Sequence, residues 1–275
     1  MTLYWEKINS AANEQLKQIR SLQQRKKRDE SGLFIVEGTR AVQEALQSDW
    51  EVLFLVAADD YGQKAQLEEL LRKRQQPYGR LLQVSCELLR KLGDTQTPQG
   101  IIAVVRQKYW ELEQVLAMPG GGPLLVLDRV QDPGNVGALL RTAAALGAAG
   151  AVLLEGTTDA FSSKAVRAGM GAVFRLPVVQ KIQPEFLNRL RKEQKLALWV
   201  AALEGGRPSY QADLQARHLL LLGNEGEGAS AFWQEEADGA VFIPMPGGME
   251  SLNVAMAGSL LLYEAMRQRL SKEIK

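Results

Sequence analysis

The sequence predicts an α/β protein: a mostly parallel, helix-covered sheet in the second half, preceded by a smaller α/β region. Three observations carry this. Apolar, β-branched runs recur along the chain, helix-patterned stretches alternate with them, and a joint of three consecutive glycines between Pro119 and Pro123 interrupts the alternation once. The 275 residues are enough for one large or two medium domains, and 46% hydrophobic with 24% charged residues is the balance of a soluble globular chain. A net charge of +1 means that any nucleic-acid binding must come from a local basic patch rather than a global field. The single cysteine, Cys86, excludes intramolecular disulfides and cysteine-cluster metal sites, so no metal is expected. With no charged-then-apolar leader in residues 1–10, a reducing cytoplasm is the expected compartment. No apolar run approaches the roughly 18–20 residues that span a bilayer, so no membrane is expected.

The elements follow in order. Residues 17–28 carry six basic side chains and no acid, and Arg25, Lys26, Lys27 and Arg28 form the densest part, a candidate grip on RNA phosphates. Taken alone, such a run is also what a solvated helix face looks like. A strand is expected at Leu33–Glu37, then a short helix capped by Thr39 and running through Leu46, then a strand at 52–57. Residues 63–74 are amphipathic and helical, 81–84 form a strand, and Ser85 caps a helix ending near Gly93. Ile101–Arg106 closes this part with a third β-branched run. After a short helix at 109–116 and the glycine joint, longer apolar strands are expected at 124–128, 151–155, 196–203, 218–223 and 240–245. Helices are expected at 135–146, Ser163–Gly169, 184–195 and 252–269. The domain boundaries implied are 1–107, a linker at 108–122, and 123–275.

Three loops follow strands of the second half, where such sheets place ligands. The first, Asp128-Arg129-Val130-Gln131-Asp132-Pro133-Gly134-Asn135, is turn chemistry, with Asn135 expected as the helix cap and Arg141 projecting six residues on. The second, Gly223-Asn224-Glu225-Gly226-Glu227-Gly228, lets backbone approach a ligand. It resembles a dinucleotide fingerprint only weakly, because it follows a late strand and its two glutamates would repel a pyrophosphate. The third runs from Ile243 through Pro244, Met245 and a Pro/Gly-rich stretch to a helix expected to begin near Ser251. The small residues Ala255, Ala257, Gly258 and Ser259 imply another backbone packed close to that helix.

Asn135 with Arg141, the Gly223–Gly228 loop, and Ile243-Pro244-Met245 followed by Ser251-Leu252-Asn253-Val254 occur in an order that resembles the SpoU/TrmH family of RNA ribose 2′-O-methyltransferases, within the SPOUT superfamily. The resemblance covers 124–269. More loosely, Leu33-Phe34-Ile35-Val36-Glu37-Gly38, Val42 with Glu44 and Ala45, and Thr97-Pro98-Gln99-Gly100 resemble that family's substrate-binding domain, which is similar to ribosomal-protein-type RNA-binding folds. The resemblance implies a deep trefoil knot, a homodimer, and S-adenosylmethionine as cofactor. It places Ala201, Leu203, Gly223, Asn224, Gly226, Ile243, Met245 and Leu252 at the cofactor, and Asn135, Arg141, Glu225, Ser251 and Asn253 at the chemistry. It implies an RNA substrate, 23S ribosomal RNA by analogy with members that carry an extra amino-terminal domain. A tRNA methyltransferase, or a non-catalytic RNA-binding or ribosome-assembly protein on the same fold, stays open. The only histidine, His218, opens an apolar strand and is expected to be structural, so no conventional base is at hand. Arg141 is expected to clamp the target phosphate and stabilise the developing alkoxide.

Overall fold

A computed structural model describes residues 3–95 and 98–273; Thr97 of the amino-terminal resemblance lies outside the described residues. The chain divides into two compact units, one of residues 1–108 with Phe161–Arg175, the other of 109–160 with 176–275.

The first unit begins with β1 (Glu6–Lys7), α1 (Glu14–Ser21), α2 (Arg25–Ser31), β2 (Leu33–Glu37) and α3 (Thr39–Gln47). It continues with β3 (Val52–Ala58), α4 (Lys64–Lys73), β4 (Tyr78–Val84), α5 (Cys86–Leu92) and β5 (Ile101–Arg106). The sheet order is β1-β4-β3-β5-β2, with β5 antiparallel to both β2 and β3 and the other pairs parallel. β2 is buried at every position, so it reads as a continuous apolar run. One face of the sheet packs Ile35, Val56, Leu82 and Ile102 with Leu16 and Ile19 of α1, whose first turn is capped by the Asn13 side chain. Elsewhere in the unit Phe34, Trp50, Phe161 and Phe174 form an aromatic cluster with ring centroids 5.0–6.2 Å apart. Phe161 and Phe174 flank α8 (Ser163–Gly169, numbered in chain order), and their rings bind this distant segment into the first unit. Sequence alone had assigned that segment to the second half.

Ser85 caps α5 as expected, accepting from the Leu88 N–H, and Gly93 follows the helix. Thr39 does not cap α3. It is the first helical residue, and the cap position is Gly38 at φ 100°, which has no side chain to accept a hydrogen bond. Arg28 also differs from expectation: it is 4% exposed, and its Nη1 donates to the carbonyls of Leu22 and Gln23, which holds the turn between α1 and α2. It is therefore unavailable to grip RNA, whereas Arg25, Lys26 and Lys27 are exposed.

The second unit contains α6 (Leu112–Ala117), β6 (Leu124–Leu127), α7 (Pro133–Ala145), β7 (Gly150–Leu154), β8 (Val178–Ile182) and α9 (Pro184–Glu193). It continues with β9 (Ala197–Ala201), β10 (Arg207–Pro208), β11 (His218–Leu222), α10 (Ala231–Glu236), β12 (Gly239–Phe242) and α11 (Val254–Glu273). All seven strands are parallel, in the order β10-β12-β9-β11-β6-β7-β8. β6, β7 and β11 are buried throughout, because helices cover both faces. Trp233 and Leu187 sit in the core with Leu124, Val152, Leu198 and Leu219. A parallel sheet puts the carboxyl ends of its strands along one edge, and the three loops singled out above follow β6, β11 and β12.

α11 starts at Val254, two residues after the expected start. As expected from its small residues, α11 runs close beside another backbone, that of α7, and a Cβ on Gly258 would lie 2.4 Å from the side chains of both Leu139 of α7 and Leu222 of β11. Ser259 adds a hydroxyl contact of 3.0 Å to Thr142. No described helix is long and apolar enough to cross a membrane.

Candidate active site

The site is built from the β6–α7 loop upward. β6 delivers Asp128, which is 2% exposed; its N–H donates to the Leu222 carbonyl and its Oδ2 accepts from the Ser230 N–H at 2.8 Å. The carboxylate thus ties the loop after β6 to the segment after β11. Arg129 follows with φ 57°, a left-handed backbone that costs a non-glycine residue about 1–2 kcal/mol. Its backbone is held at both ends. The N–H donates to Thr157 Oγ1 at 3.0 Å, while the carbonyl accepts from Asn224 Nδ2 and Gln131 Nε2, each at 2.9 Å.

α7 is capped by Asp132, whose carboxylate accepts from the Asn135 N–H at 3.0 Å, with Pro133 as the first helical residue. Asn135 is therefore not the cap expected from sequence. It is the third helical residue, because Asp132-Pro133 is the better start signal and moves the helix two residues earlier. This frees the Asn135 amide for other work.

The Gly223–Gly228 loop closes on itself. Asn224 and Gly228 exchange backbone hydrogen bonds of 2.9 Å, and a Cβ on Gly223 would collide with the Gly228 and Ala229 backbone at 2.1–2.3 Å. Gly223 is required by the loop's own closure. The Asn224 side chain is consumed in the same way, accepting from the Gly226 and Glu227 N–H groups while donating to Arg129. The loop so shaped presents Glu225, which accepts from the backbone of Gln131 at 3.2 Å and Asp132 at 3.3 Å, and from Asn135 Nδ2 at 3.0 Å. Burial pushes the Glu225 carboxyl up, but the hydrogen bonds from Asn135, Gln131 and Asp132 outweigh it and hold it below its ordinary value of 4.5. At neutral pH it is an anion already engaged with three donors, which makes it a clamp and a poor base.

The third loop joins through Asn253. Its Nδ2 donates to Asn135 Oδ1 at 3.0 Å, and its Oδ1 accepts from the Ala255 and Met256 N–H groups, capping α11. Glu225, Asn135 and Asn253 therefore form one hydrogen-bonded chain across three strand-end loops. Ser251 is exposed just before α11 and makes no hydrogen bond among the described residues. Arg141 is exposed further along α7, on the helix face that also carries Gly134, Gly137 and Ala138.

The expected cofactor residues fall at the ends of three neighbouring strands. Ala201 ends β9, Gly223 follows β11, and Ile243 and Met245 follow β12. Gly226 is at the loop tip, where its N–H donates to Asn224 Oδ1 at 2.9 Å and a Cβ would meet only that oxygen, at 3.7 Å. Leu203 is 62% exposed and Leu252 38% exposed on the same segments. Uncovered leucines beside strand-end backbone fit the apolar face of a ligand, such as a flat ring, whose polar groups are read by the main chain. Asp128, Arg129 and Asp132 lie in the first of the three loops read from sequence but received no role there, and Thr157 was not named at all. Of these only Asp132-Pro133 left a readable signal, since a left-handed arginine and a buried carboxylate have no local signature.

His218 is structural, as expected: it is 1% exposed, its Nδ1 bonds the Ala216 carbonyl at 2.8 Å, and burial holds its pKa below 6.5. Cys86 is in the first unit, where its thiol donates to Asp60 at 2.8 Å; that bond, with burial and the neighbouring charge, pushes it up to about 11.

The SpoU rRNA Methylase family model matches residues 122–263, and the MRM3-like substrate binding domain model matches 13–103. The chain is 33% identical to the 23S rRNA (guanosine(2553)-2′-O)-methyltransferase RlmP of Bacillus subtilis, over 94% of this chain and 98% of that one. It is 32% identical to the 23S rRNA (uridine(2479)-2′-O)-methyltransferase of Streptomyces viridochromogenes, over 90% and 87%. Among solved structures, an AdoMet-bound rRNA methyltransferase from Sinorhizobium meliloti superposes with a TM-score of 0.84 at 33% identity, covering 95% and 97% of the two chains. The SpoU methyltransferase AviRb from Streptomyces viridochromogenes, in complex with AdoMet, superposes with 0.85 at 31% identity, covering 94% and 99%. With the family-model match and the whole-length relatives agreeing, the chain belongs to the SpoU rRNA methylase family, and the relatives named are RNA 2′-O-methyltransferases.

Proposed function

We propose that this protein transfers a methyl group from S-adenosylmethionine to a ribose 2′-hydroxyl of 23S ribosomal RNA. The observation that carries the reading is the Glu225–Asn135–Asn253 chain at the carboxyl edge of the parallel sheet, beside uncovered Leu203 and Leu252. The names of the relatives and the AdoMet-bound neighbours support the same reaction.

When bound, the cofactor supplies a methyl carbon already activated on a sulfonium. The strand-end residues Ala201, Leu203, Gly223, Ile243, Met245 and Leu252 would hold it, with Gly226 and the Asn224 backbone shaping the loop. The remaining task is to position the hydroxyl and manage its proton. Glu225 and Asn135 fix the start of α7, and α7 carries Arg141. Arg141 is assigned as a bidentate clamp on the target phosphate that stabilises negative charge developing on the 2′-oxygen. Ser251 offers an unengaged hydroxyl next to Asn253.

The first unit is assigned to substrate binding and the second to methyl transfer; residues 161–175 of the expected 123–275 transferase region fall in the first unit, and α6 of the expected 108–122 linker packs into the core of the second. Exposed Arg25, Lys26 and Lys27 stand in the first turn of α2, at the positive end of its dipole, where helix stability favours acids. Glu30 pairs with Lys27 at 2.8 Å and with Lys26 at 3.9 Å, and phosphate contact at the remaining exposed donors is the role assigned to this turn. A homodimer is supported by α11, on which Met256, Leu260, Tyr263 and Leu270 recur along one face with 47–61% exposure. A knot threaded by this helix is supported by the contact of Gly258 with both α7 and β11. The proposed compartment is the cytoplasm, where the single Cys86 stays reduced.

The test is transfer of labelled methyl from S-adenosylmethionine to unmodified 23S rRNA, followed by nuclease digestion. Recovery of label in one 2′-O-methylnucleoside is expected. Binding of RNA without transfer would instead mean a non-catalytic RNA-binding protein, and transfer only to tRNA would reassign the substrate.

A further inference from the structure

A second cleft lies wholly within the first unit. Its volume is about 860 Å3, within the range of small-ligand sites, roughly 300–1,000 Å3. It opens at the start of α3, and its walls include Arg40, Gln43, Tyr61, Gln99 and Arg167. The loops of the transferase unit take no part in it.

Three features give the cleft a polarity. First, α3 begins without a side-chain cap. Gly38 at φ 100° has no acceptor to offer, and Gln99 Oε1 takes only the Thr39 N–H, at 2.9 Å. The next amides, of Arg40 and Ala41, have no acceptor among the described residues, so the helix presents free N–H groups and its positive dipole end to the cleft. Second, Arg167 of α8 has an Nη1 with no access to solvent and no hydrogen-bond partner. It lies 3.9 Å from the Glu37 carboxylate, which is already occupied by the Thr95 hydroxyl and by the Asp94 N–H at 3.3 Å. The Arg167 side chain is otherwise 39% exposed, and this one donor, held by a long ion pair to Glu37 and no hydrogen bond, is what a bound acceptor would complete. Third, Tyr61 is the one aromatic ring among the lining residues, its hydroxyl 3.3 Å from Thr39 Oγ1, and the Gln43 and Gln99 amides line the same cleft.

Free backbone N–H groups with two guanidiniums suit a phosphate; a ring with two side-chain amides suits a base stacked and read at its edge. We propose that this cleft takes one unpaired nucleotide of the RNA substrate, distinct from the nucleotide that is methylated, with its phosphate on the α3 terminus, Arg40 and Arg167, and its base on Tyr61. The proposal rests on the RNA-methyltransferase reading and names a recognition point within it. The cleft thereby selects the RNA, while the transferase unit acts on the ribose.

The experiment uses the full-length protein and 23S rRNA transcribed in vitro. Arg40→Gln, Arg167→Gln and Tyr61→Leu are each expected to raise KM for RNA about tenfold, with S-adenosylmethionine affinity unchanged. Tyr61→Phe, which keeps the ring and loses only the Thr39 contact, is expected to stay within about twofold of wild type. A structural role for the hydroxyl would make Phe and Leu equally damaging and would overturn the proposal. So would an unchanged KM in folded Arg167→Gln protein. Irradiation of 4-thiouridine-substituted transcript is expected to crosslink the peptide containing Tyr61, and a crosslink map that omits residues 38–43, 61 and 167 would contradict it. Tight binding of free GMP without such a crosslink would make the cleft an effector site and sink the RNA assignment. If wild type transfers no methyl at all, the proposed function fails, and filter binding of the same transcript by the same variants still decides the cleft.

Discussion

Two helices that leave strand ends in this chain are finished in opposite ways. α7 starts closed: Asp132 caps it, Pro133 fills its first position, and Glu225 gathers the backbone N–H groups of Gln131 and Asp132 together with the Asn135 amide. α3 starts open: Gly38 offers no cap, and the Arg40 and Ala41 amides face a cleft. A helix terminus satisfied by its own protein is a rigid mount, here for Arg141. A terminus left unsatisfied is a ligand site waiting for an acceptor. The two ends thus divide the labour between chemistry and recognition.

The largest expected effect lies on the closed side. Arg141→Lys should keep S-adenosylmethionine affinity in calorimetry and lose about a hundredfold in kcat, because an ammonium cannot grip phosphate and ribose oxygen together. Near-normal turnover would show that α7 mounts nothing essential. Next comes the mount itself. Asn135→Ala severs the link between Glu225 and Asn253 and should lower kcat about tenfold while melting falls only a few degrees. A purely structural asparagine would show the melting loss without the kinetic one. Smaller still is a pair of cap replacements. Asp132→Ala should cost about 1 kcal/mol in denaturant unfolding, whereas Thr39→Ala, which removes no cap, should stay within about 0.5 kcal/mol. Equal losses would erase the distinction between the two ends.

The smallest effect is a pH dependence. Glu225 has a folded pKa below its unfolded one, so its contribution is complete above the ordinary carboxylate range and fades only as pH falls below 4.5. His218 is likewise depressed, by burial, so its contribution is complete above 6.5 and is lost as pH falls from there through the lowered value. Any decline in Tm between pH 6.5 and 5 should therefore come from His218 and flatten in His218→Asn. A decline unchanged in that variant would move its origin elsewhere.

Much of this was legible in the sequence. The buried strands β6, β7 and β11 stood out within a residue or two because uninterrupted apolar runs have one explanation in a parallel sheet. β8 escaped because Gln180 and Lys181 break its apolar run and it lies at the sheet edge, with Lys181 at φ 61°. The residues of the Glu225–Asn135–Asn253 chain were each named, yet their mutual bonds span 90 and 118 positions and follow only from the fold. Arg28 was misread for a related reason: its neighbours Arg25, Lys26 and Lys27 are exposed, and nothing local says that the fourth turns inward. The membership of Phe161–Arg175 in the first unit was equally invisible, resting on rings that meet Phe34 and Trp50 from far along the chain.

One steady-state comparison puts the division of labour to the test: kcat and KM for 23S rRNA measured side by side for Asn135→Ala and Arg40→Gln at saturating S-adenosylmethionine. The expected result is a fall in kcat with KM held for the first, and a rise in KM with kcat held for the second. The reverse pattern, or the same parameter moving in both variants, would contradict the assignment of chemistry to the closed end and recognition to the open one.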